Sequence, residues 1–371
     1  MAITGADCFV NASGGAWQAN ESGVPQAVRY SMAATRQGSI LAAAPILVAG
    51  LGLAAALGTA AAPGTAAAQE AALATQIVDA MNKVYGVHPG FRANHAKGVV
   101  AEGFFKAAPE AARLSKAVLF NGTSIPVTVR FSDSTGVPNL PDGSPLANPH
   151  GMAIKFHLPG GDETNIVINA LKFFPVSSGE DFRDMLLAVA ASPPEAAKPT
   201  KLEQFAASHP NMPRALATVA TPDSFADEEY YGVNAFIFVN EKGERHAVRY
   251  VMAPERLVHL SAEEAAKQAQ DFLIDELPAR LSRGPVTFRL KAQLAGPGDS
   301  TKDASIPWPE SNETVELGML TITKSASDSL EVQKTLLFLP GQLIDGIEPS
   351  DDPLIGVRDG AYAVSLSRRT P

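Results

Sequence analysis

Apolar residues recur at helical spacing over Gln69 to Tyr85, where Leu73, Ile77, Met81 and Val84 fall on one face; the spacing predicts an amphipathic helix. The period then changes. Over Ile125 to Phe131 apolar and polar residues alternate, which sets Val127, Val129 and Phe131 on one face and Thr128, Arg130 and Ser132 on the other. Met152 to Leu158 and Asn165 to Asn169 read as strands joined across Pro159-Gly160-Gly161-Asp162. Ala235 to Val239 and Ala247 to Met252 form a second hairpin around Asn240-Glu241-Lys242-Gly243. Val286 to Leu294 and Leu317 to Thr323 add further strands. Helical patterns cover Asp181 to Ala191, Lys201 to Ser208, Ala262 to Asp275 and Leu354 to Ser367. Antiparallel strands with helices inserted and appended predict an α+β domain whose sheet closes or nearly closes, and such a sheet can enclose a ligand.

The N-terminal composition differs from this pattern. Arg36 precedes an apolar, Ala-rich run from Ile40 through Leu57, and Ala66-Ala67-Ala68 follows it. A basic flank, an apolar stretch and a small-residue site make a secretory leader cut after Ala68; a retained anchor is the alternative, because the run is almost long enough to span a bilayer. Residues 1–31 precede that pattern, which points to Met32 as the start, 32–68 as signal peptide and 69–371 as one exported domain, periplasmic or secreted. Cys8, the only cysteine, lies in this leader. The exported chain would then hold no thiol, hence no disulfide, no thiolate ligand and no Cys-x-x-Cys-His haem attachment.

Composition narrows the partners. With 371 residues, 46% hydrophobic and 19% charged, the chain can close a sizeable core. A formal charge of −9 with no cluster of Lys and Arg argues against a nucleic-acid partner and favours a small molecule.

Several residues could carry chemistry. On a helix Arg358 and Tyr362 lie four apart on one face, so the guanidinium reaches the phenol. A tyrosine ordinarily titrates at about pH 10 and needs an adjacent cation before it serves as a phenolate ligand to iron. Such a pair is also common on solvated helix faces. His95, in Arg92-Ala93-Asn94-His95-Ala96-Lys97-Gly98, is one histidine of seven. If the apolar face of the Ile125 strand packs against helices, Arg130 and Ser132 point toward the barrel side. A buried arginine there needs an anion, for which Asp133 is the local partner. Asn169 is an amide in an otherwise apolar strand, and Phe173-Phe174-Pro175 follows it.

Together and in this order, these segments resemble the catalase superfamily, and within it the exported, short bacterial catalase-related haem peroxidases. The distal histidine motif is matched by Arg92 to Gly98. The strand motif is matched by Val129-Arg130-Phe131-Ser132 and the following segment by Asn148 to Phe156. Asn169 and Phe174 match the distal amide and the haem-stacking phenylalanine. Asp352 to Tyr362, then Arg368-Arg369, match the proximal signature. The resemblance implies a catalase-like antiparallel β-barrel with surrounding helices, lacking the C-terminal domain of large catalases. It also implies a non-covalent, five-coordinate haem b with Tyr362 as axial ligand, the ligand type known for catalase.

In that likeness Arg358 holds the phenolate charged, and Asp352 is a partner beyond it. Arg92, Arg130 and Arg369 pair with the propionates, Phe174 stacks on the ring, and Ser132 orients His95. His95 moves a proton from one peroxide oxygen to the other while Asn169 donates a hydrogen bond, and water leaves. The chain departs from large catalases where they carry a valine before the histidine and an acidic residue in the channel; here those positions are Asn94 and Asn148. The departure implies a peroxidase that takes peroxide and a small organic electron donor, with weak catalase activity. The lack of the terminal domain and long N-terminal arm that large catalases use in assembly implies a monomer or homodimer, and cleavage of the leader implies no stable membrane association. The alternatives are a non-catalytic haem-binding or delivery protein, a fatty-acid hydroperoxide isomerase on the same fold, and a haem-free barrel.

Overall fold

The computed structural model describes residues 63–370. The expected Met32 start and the apolar run from Ile40 to Leu57 lie outside the described residues. Among the described residues no helix is long and apolar enough to cross a membrane.

Helix α1 (Pro63–Tyr85) begins six residues before the predicted Gln69 start. Proline suits the first helical position and alanine is the strongest helix former, so the Ala66-Ala67-Ala68 segment continues the helix upstream. Leu73, Ile77 and Met81 are buried as the spacing predicts.

Ten strands form one antiparallel sheet: β1 (Gly98–Ala107), β2 (Ser124–Ser132), β3 (Gly151–His157), β4 (Glu163–Asn169), β5 (Tyr230–Tyr231), β6 (Phe236–Val239), β7 (Arg245–Pro254), β8 (Val286–Leu294), β9 (Thr314–Ser325) and β10 (Ile347–Pro349). Eight of them close into a barrel in the order β8, β9, β1, β2, β3, β4, β5, β7, with β7 pairing back onto β8. Strands β6 and β10 extend from β7 outside the ring. The two predicted hairpins are present, β3 against β4 and β6 against β7.

The barrel does not enclose the ligand site. An eight-stranded barrel is just wide enough for side chains to fill, and this one is filled: Val127, Val129 and Phe131 of β2, Met152, Ile154 and Phe156 of β3, and Phe288 and Leu290 of β8 are buried in one apolar cluster. The rings of Phe105 and Phe156 meet edge to face at 5.5 Å. The expectation that the apolar face of β2 packs against helices is therefore reversed. That face fills the barrel, and Arg130 and Ser132 point outward.

Two further expectations change. Strand β1 was not predicted, because its glycines and alanines have low strand propensity and a bulge interrupts its pairing with β9 at Glu102/Gly103. A Cβ at Gly103 would sit 2.0 Å from the Thr321 carbonyl oxygen, so the close strand approach requires glycine. The helix expected over Ala262 to Asp275 is two, a turn at Ala262–Ala265 and a helix at Phe272–Leu281. The second begins where Asp142 Oδ2 accepts from the Leu273 N–H at 2.8 Å, a cap supplied from far along the chain. It buries Leu273, Leu277 and Leu281 under one end of the barrel.

Helices cover the outer wall of β2 to β4. Helix α2 (Gly179–Ala190) packs on α1, and so does the terminal helix α4 (Leu354–Arg369), after the short α3 (Ser329–Thr335).

Candidate active site

A cavity of about 180 Å³ lies between the outer barrel wall and these helices. It is lined by Ser132 and Asn169 from the strands, His95 from the loop before β1, Ile77 and Met81 from α1, and Tyr362 from α4. All the sequence-predicted site residues except Asp352 line it, since Arg92, Arg130, Phe174, Arg358 and Arg369 are on the same wall.

On α4 the spacing of four behaves as predicted: Arg358 Nε donates to Tyr362 Oη at 3.1 Å. The other guanidinium nitrogens are also engaged, one with Asn234 Oδ1 and one with the Val167 carbonyl at 3.1 Å. Asp352 reaches this group through Asn234, whose Nδ2 donates to Asp352 Oδ2 at 2.7 Å. The result is a chain from carboxylate to amide to guanidinium to phenol. Burial raises the Asp352 carboxyl, and the Asn234 hydrogen bond, the Leu354 N–H and nearby Arg358 oppose that rise.

Beside β2, Ser132 Oγ lies 3.0 Å from His95 Nδ1. Burial, and then the charge of Arg130, push His95 down to about 3, so the ring is neutral. With Nδ1 held, Nε2 is the nitrogen left for chemistry. Gly151 makes the room, because a Cβ there would fall 2.9 Å from His95 Cε1. Asn169 Oδ1 accepts from the Leu171 N–H at 2.8 Å, which leaves its Nδ2 as the end free to donate. Asn94 lines the cavity with its Oδ1 unpartnered. Asn148 instead donates to Thr221 Oγ1 at 3.1 Å.

Three guanidinium groups complete the wall, and their hydrogen bonds go only to neutral acceptors. Arg92 and Arg369 both donate to the Leu336 carbonyl at 2.8 Å, and Arg130 donates to Gln333 Oε1 and the His95 carbonyl. Asp133, the local anion considered for Arg130, instead faces His150 at 3.4 Å. Burial lowers Arg130 to about 9 and Arg369 to about 10. Arg92 is lowered by burial and by the charges of the other two. Buried cations without a carboxylate call for an anionic ligand. The donor set therefore fits an iron porphyrin: a phenol beside a guanidinium for the metal, apolar walls from Ile77, Met81 and Phe174 for the ring, and three arginines for two carboxylates.

Sequence reasoning missed Asn234 and Gln333. Each is a lone polar residue without periodic context; only burial, 1% and 5% exposed, sets them apart.

A closed antiparallel barrel carrying on its outer wall a cavity with apolar sides and a few polar groups is thus the setting of the site. The family model for Catalase matches residues 74–370, and the chain belongs to the catalase family. It is 38% identical to a catalase-related peroxidase of Mycolicibacterium paratuberculosis over 80% of this chain and 94% of that protein. It is 34% identical to one of Synechococcus elongatus, over 80% and 88%. Among solved structures, a fungal catalase matches with TM-score 0.67 at 20% identity, covering 75% of this chain and 59% of that one. A bacterial catalase matches with TM-score 0.65 at 21% identity, covering 75% and 57%.

Proposed function

We propose that this chain is a haem b peroxidase that reduces hydrogen peroxide or organic peroxides with an organic electron donor and has weak catalase activity. The observation that carries the reading is the convergence on one cavity of the Tyr362–Arg358 pair, the His95–Ser132 pair and three guanidinium groups without carboxylate partners. The names of the two catalase-related peroxidases support it.

Tyr362 would hold the iron through its oxygen, and Arg358 sets a positive charge against that oxygen, as a phenolate ligand needs. Arg92, Arg130 and Arg369 would hold the propionates, and Phe174 would pack against the ring. Bound there, haem supplies the iron redox chemistry that opens the peroxide O–O bond to reduction. His95, neutral and oriented by Ser132, accepts a proton from one peroxide oxygen and delivers it to the other. Asn169 Nδ2 donates to the oxygen that leaves as water. The neutral Asn94 and Asn148 favour organic donors over a second peroxide. The leader expected over residues 1–68 adds export to the periplasm or beyond.

Absorbance of the purified protein, followed by peroxide with and without a phenolic donor, tests the reading. A tyrosinate-type ferric haem spectrum, altered by peroxide and restored by donor, is expected. Absence of haem, or vigorous oxygen evolution with negligible donor oxidation, overturns it. A lipid hydroperoxide rearranged without any reductant assigns an isomerase instead.

A further inference from the structure

Buried polar atoms are nearly always hydrogen-bonded, so a group of unpartnered ones asks for a reason. Such a group lies directly behind the His95 pocket. Strands β2 and β3 pair Ser132 with Gly151, and both residues touch the His95 ring. One residue further along, Asp133 and His150 are the next cross-strand neighbours and by alternation point to the opposite side. Both are 0% exposed, and Asp133 Oδ1 lies 3.4 Å from His150 Nε2. Neither carboxylate oxygen of Asp133 and neither ring nitrogen of His150 has a hydrogen-bond partner.

Next to this pair sits a second buried set. Lys97 is ion-paired with Asp142, which is fully buried, and with Asp271 at 2.6 Å, whose side chain is 49% exposed. The charge of Asp133 acts on both Lys97 and Asp142. Burial, and then Asp133, push Asp142 up to about 6 against the opposing pull of Lys97. Arg130, on the cavity side, also feels Asp133. Ionisable groups thus run from the surface at Asp271 inward through Lys97 and Asp142 to Asp133 and His150. Ser134, next in the chain after Asp133, lies on the way to the cavity: its carbonyl accepts from the His95 N–H at 3.2 Å and its Oγ donates to the Asn148 carbonyl at 2.7 Å. Asn148 Oδ1 and Asn94 Oδ1 are unpartnered too. Buried polar atoms without a protein partner are what ordered water satisfies.

We propose that Asp142, Asp133 and His150 form a proton-uptake route, bridged by water, from the surface at Asp271 to the His95 pocket. The proposal rests on the peroxidase reading and supplies what that reaction lacks. Hydrogen peroxide, two electrons and two protons give two waters. His95 moves a proton already on the peroxide but adds none. Oxidation of the donor provides both electrons, one from each of two molecules of a one-electron donor such as ferrocyanide; a donor that gives electrons alone leaves both protons to come from solvent. Disproportionation of two peroxides to two waters and oxygen needs no net proton. A route of this kind therefore serves donor oxidation and is dispensable for disproportionation.

Two measurements on Asp133→Asn and His150→Gln test it. In the cofactor-free protein, infrared titration shows a carboxylic C=O band lost with a midpoint near pH 6, and Asp133→Asn moves that midpoint downward. In the holoenzyme with ferrocyanide, an electron-only donor, both variants slow peroxide reduction at least about tenfold and enlarge the solvent isotope effect. Their disproportionation of peroxide stays within about twofold of the unmodified protein, which a merely structural role would not spare. An unmoved infrared midpoint overturns the route, as does an equal loss, or no loss, in the two reactions. An unmodified protein that reduces peroxide with neither ferrocyanide nor a phenol overturns the peroxidase reading and the route with it.

Discussion

The two faces of β2 show how this molecule separates stability from chemistry. Inward, Val127, Val129 and Phe131 are buried to 2% exposure or less among rings and aliphatic chains from every side of the barrel. Outward, Arg130 and Ser132 stand on the same backbone with a buried charge and a hydroxyl on His95. The interior is favourable in the protein alone. The cavity is not: its guanidinium groups are desolvated and repel one another, and only an anion compensates them. The pleat keeps the two demands a few ångströms apart, so a site that costs stability can sit on a wall that supplies it.

That contrast can be broken from either side. The largest effect is expected from His95→Ala, which should lower donor oxidation by about 100- to 10,000-fold while cofactor absorbance persists, as read by steady-state kinetics. Phe156→Ala, inside the barrel, should cost about 3–5 kcal/mol in denaturant unfolding yet leave the absorbance of the folded fraction unchanged. Asn234→Ala removes the bridge between Asp352 and Arg358. It should weaken cofactor retention by about 10- to 100-fold, measured by haem titration. Arg92→Met should have the opposite sign in the two states: the cofactor-free protein gains about 1 kcal/mol from losing an uncompensated buried charge, whereas haem binds less tightly.

The smallest effect concerns pH. His95 is pushed down to about 3 from its ordinary value of about 6.5, so between those values the unfolded chain holds a proton that the folded chain does not. Its contribution to stability is complete above about pH 6.5 and falls as pH drops through that window. Cofactor-free His95→Gln should therefore lose less stability between pH 7 and pH 5 than the unmodified protein, by roughly 1 kcal/mol per pH unit at most, in urea titrations.

Legibility in the sequence followed locality. Both hairpins, the strand at Val286–Leu294 and the helix at Lys201–Ser208 were readable from period and turn residues alone. Strand β1 was not, because its two glycines, two alanines, Glu102 and Lys106 break up the alternation around Val99-Val100 and Phe104-Phe105, and its place is fixed by the strands on either side. The break before Phe272 was equally hidden, since Asp142 caps that helix from 131 positions earlier. At the site, Tyr362, Arg358 and His95 could be named from motifs. Asn234 and Gln333 could not, because their importance lies in the partners they meet.

By itself the sequence determined which side chains share a face: alternation put Arg130 with Ser132, and a spacing of four put Arg358 under Tyr362. Only the tertiary structure decided which face turned inward. Here large apolar side chains fill the interior of the eight-stranded ring, so the polar faces look outward. It alone brought Arg92 and Arg369 to one carbonyl at Leu336, 244 and 33 positions away. Periodicity is a property of neighbours along the chain, whereas a cavity is made by segments that meet only once the core has formed.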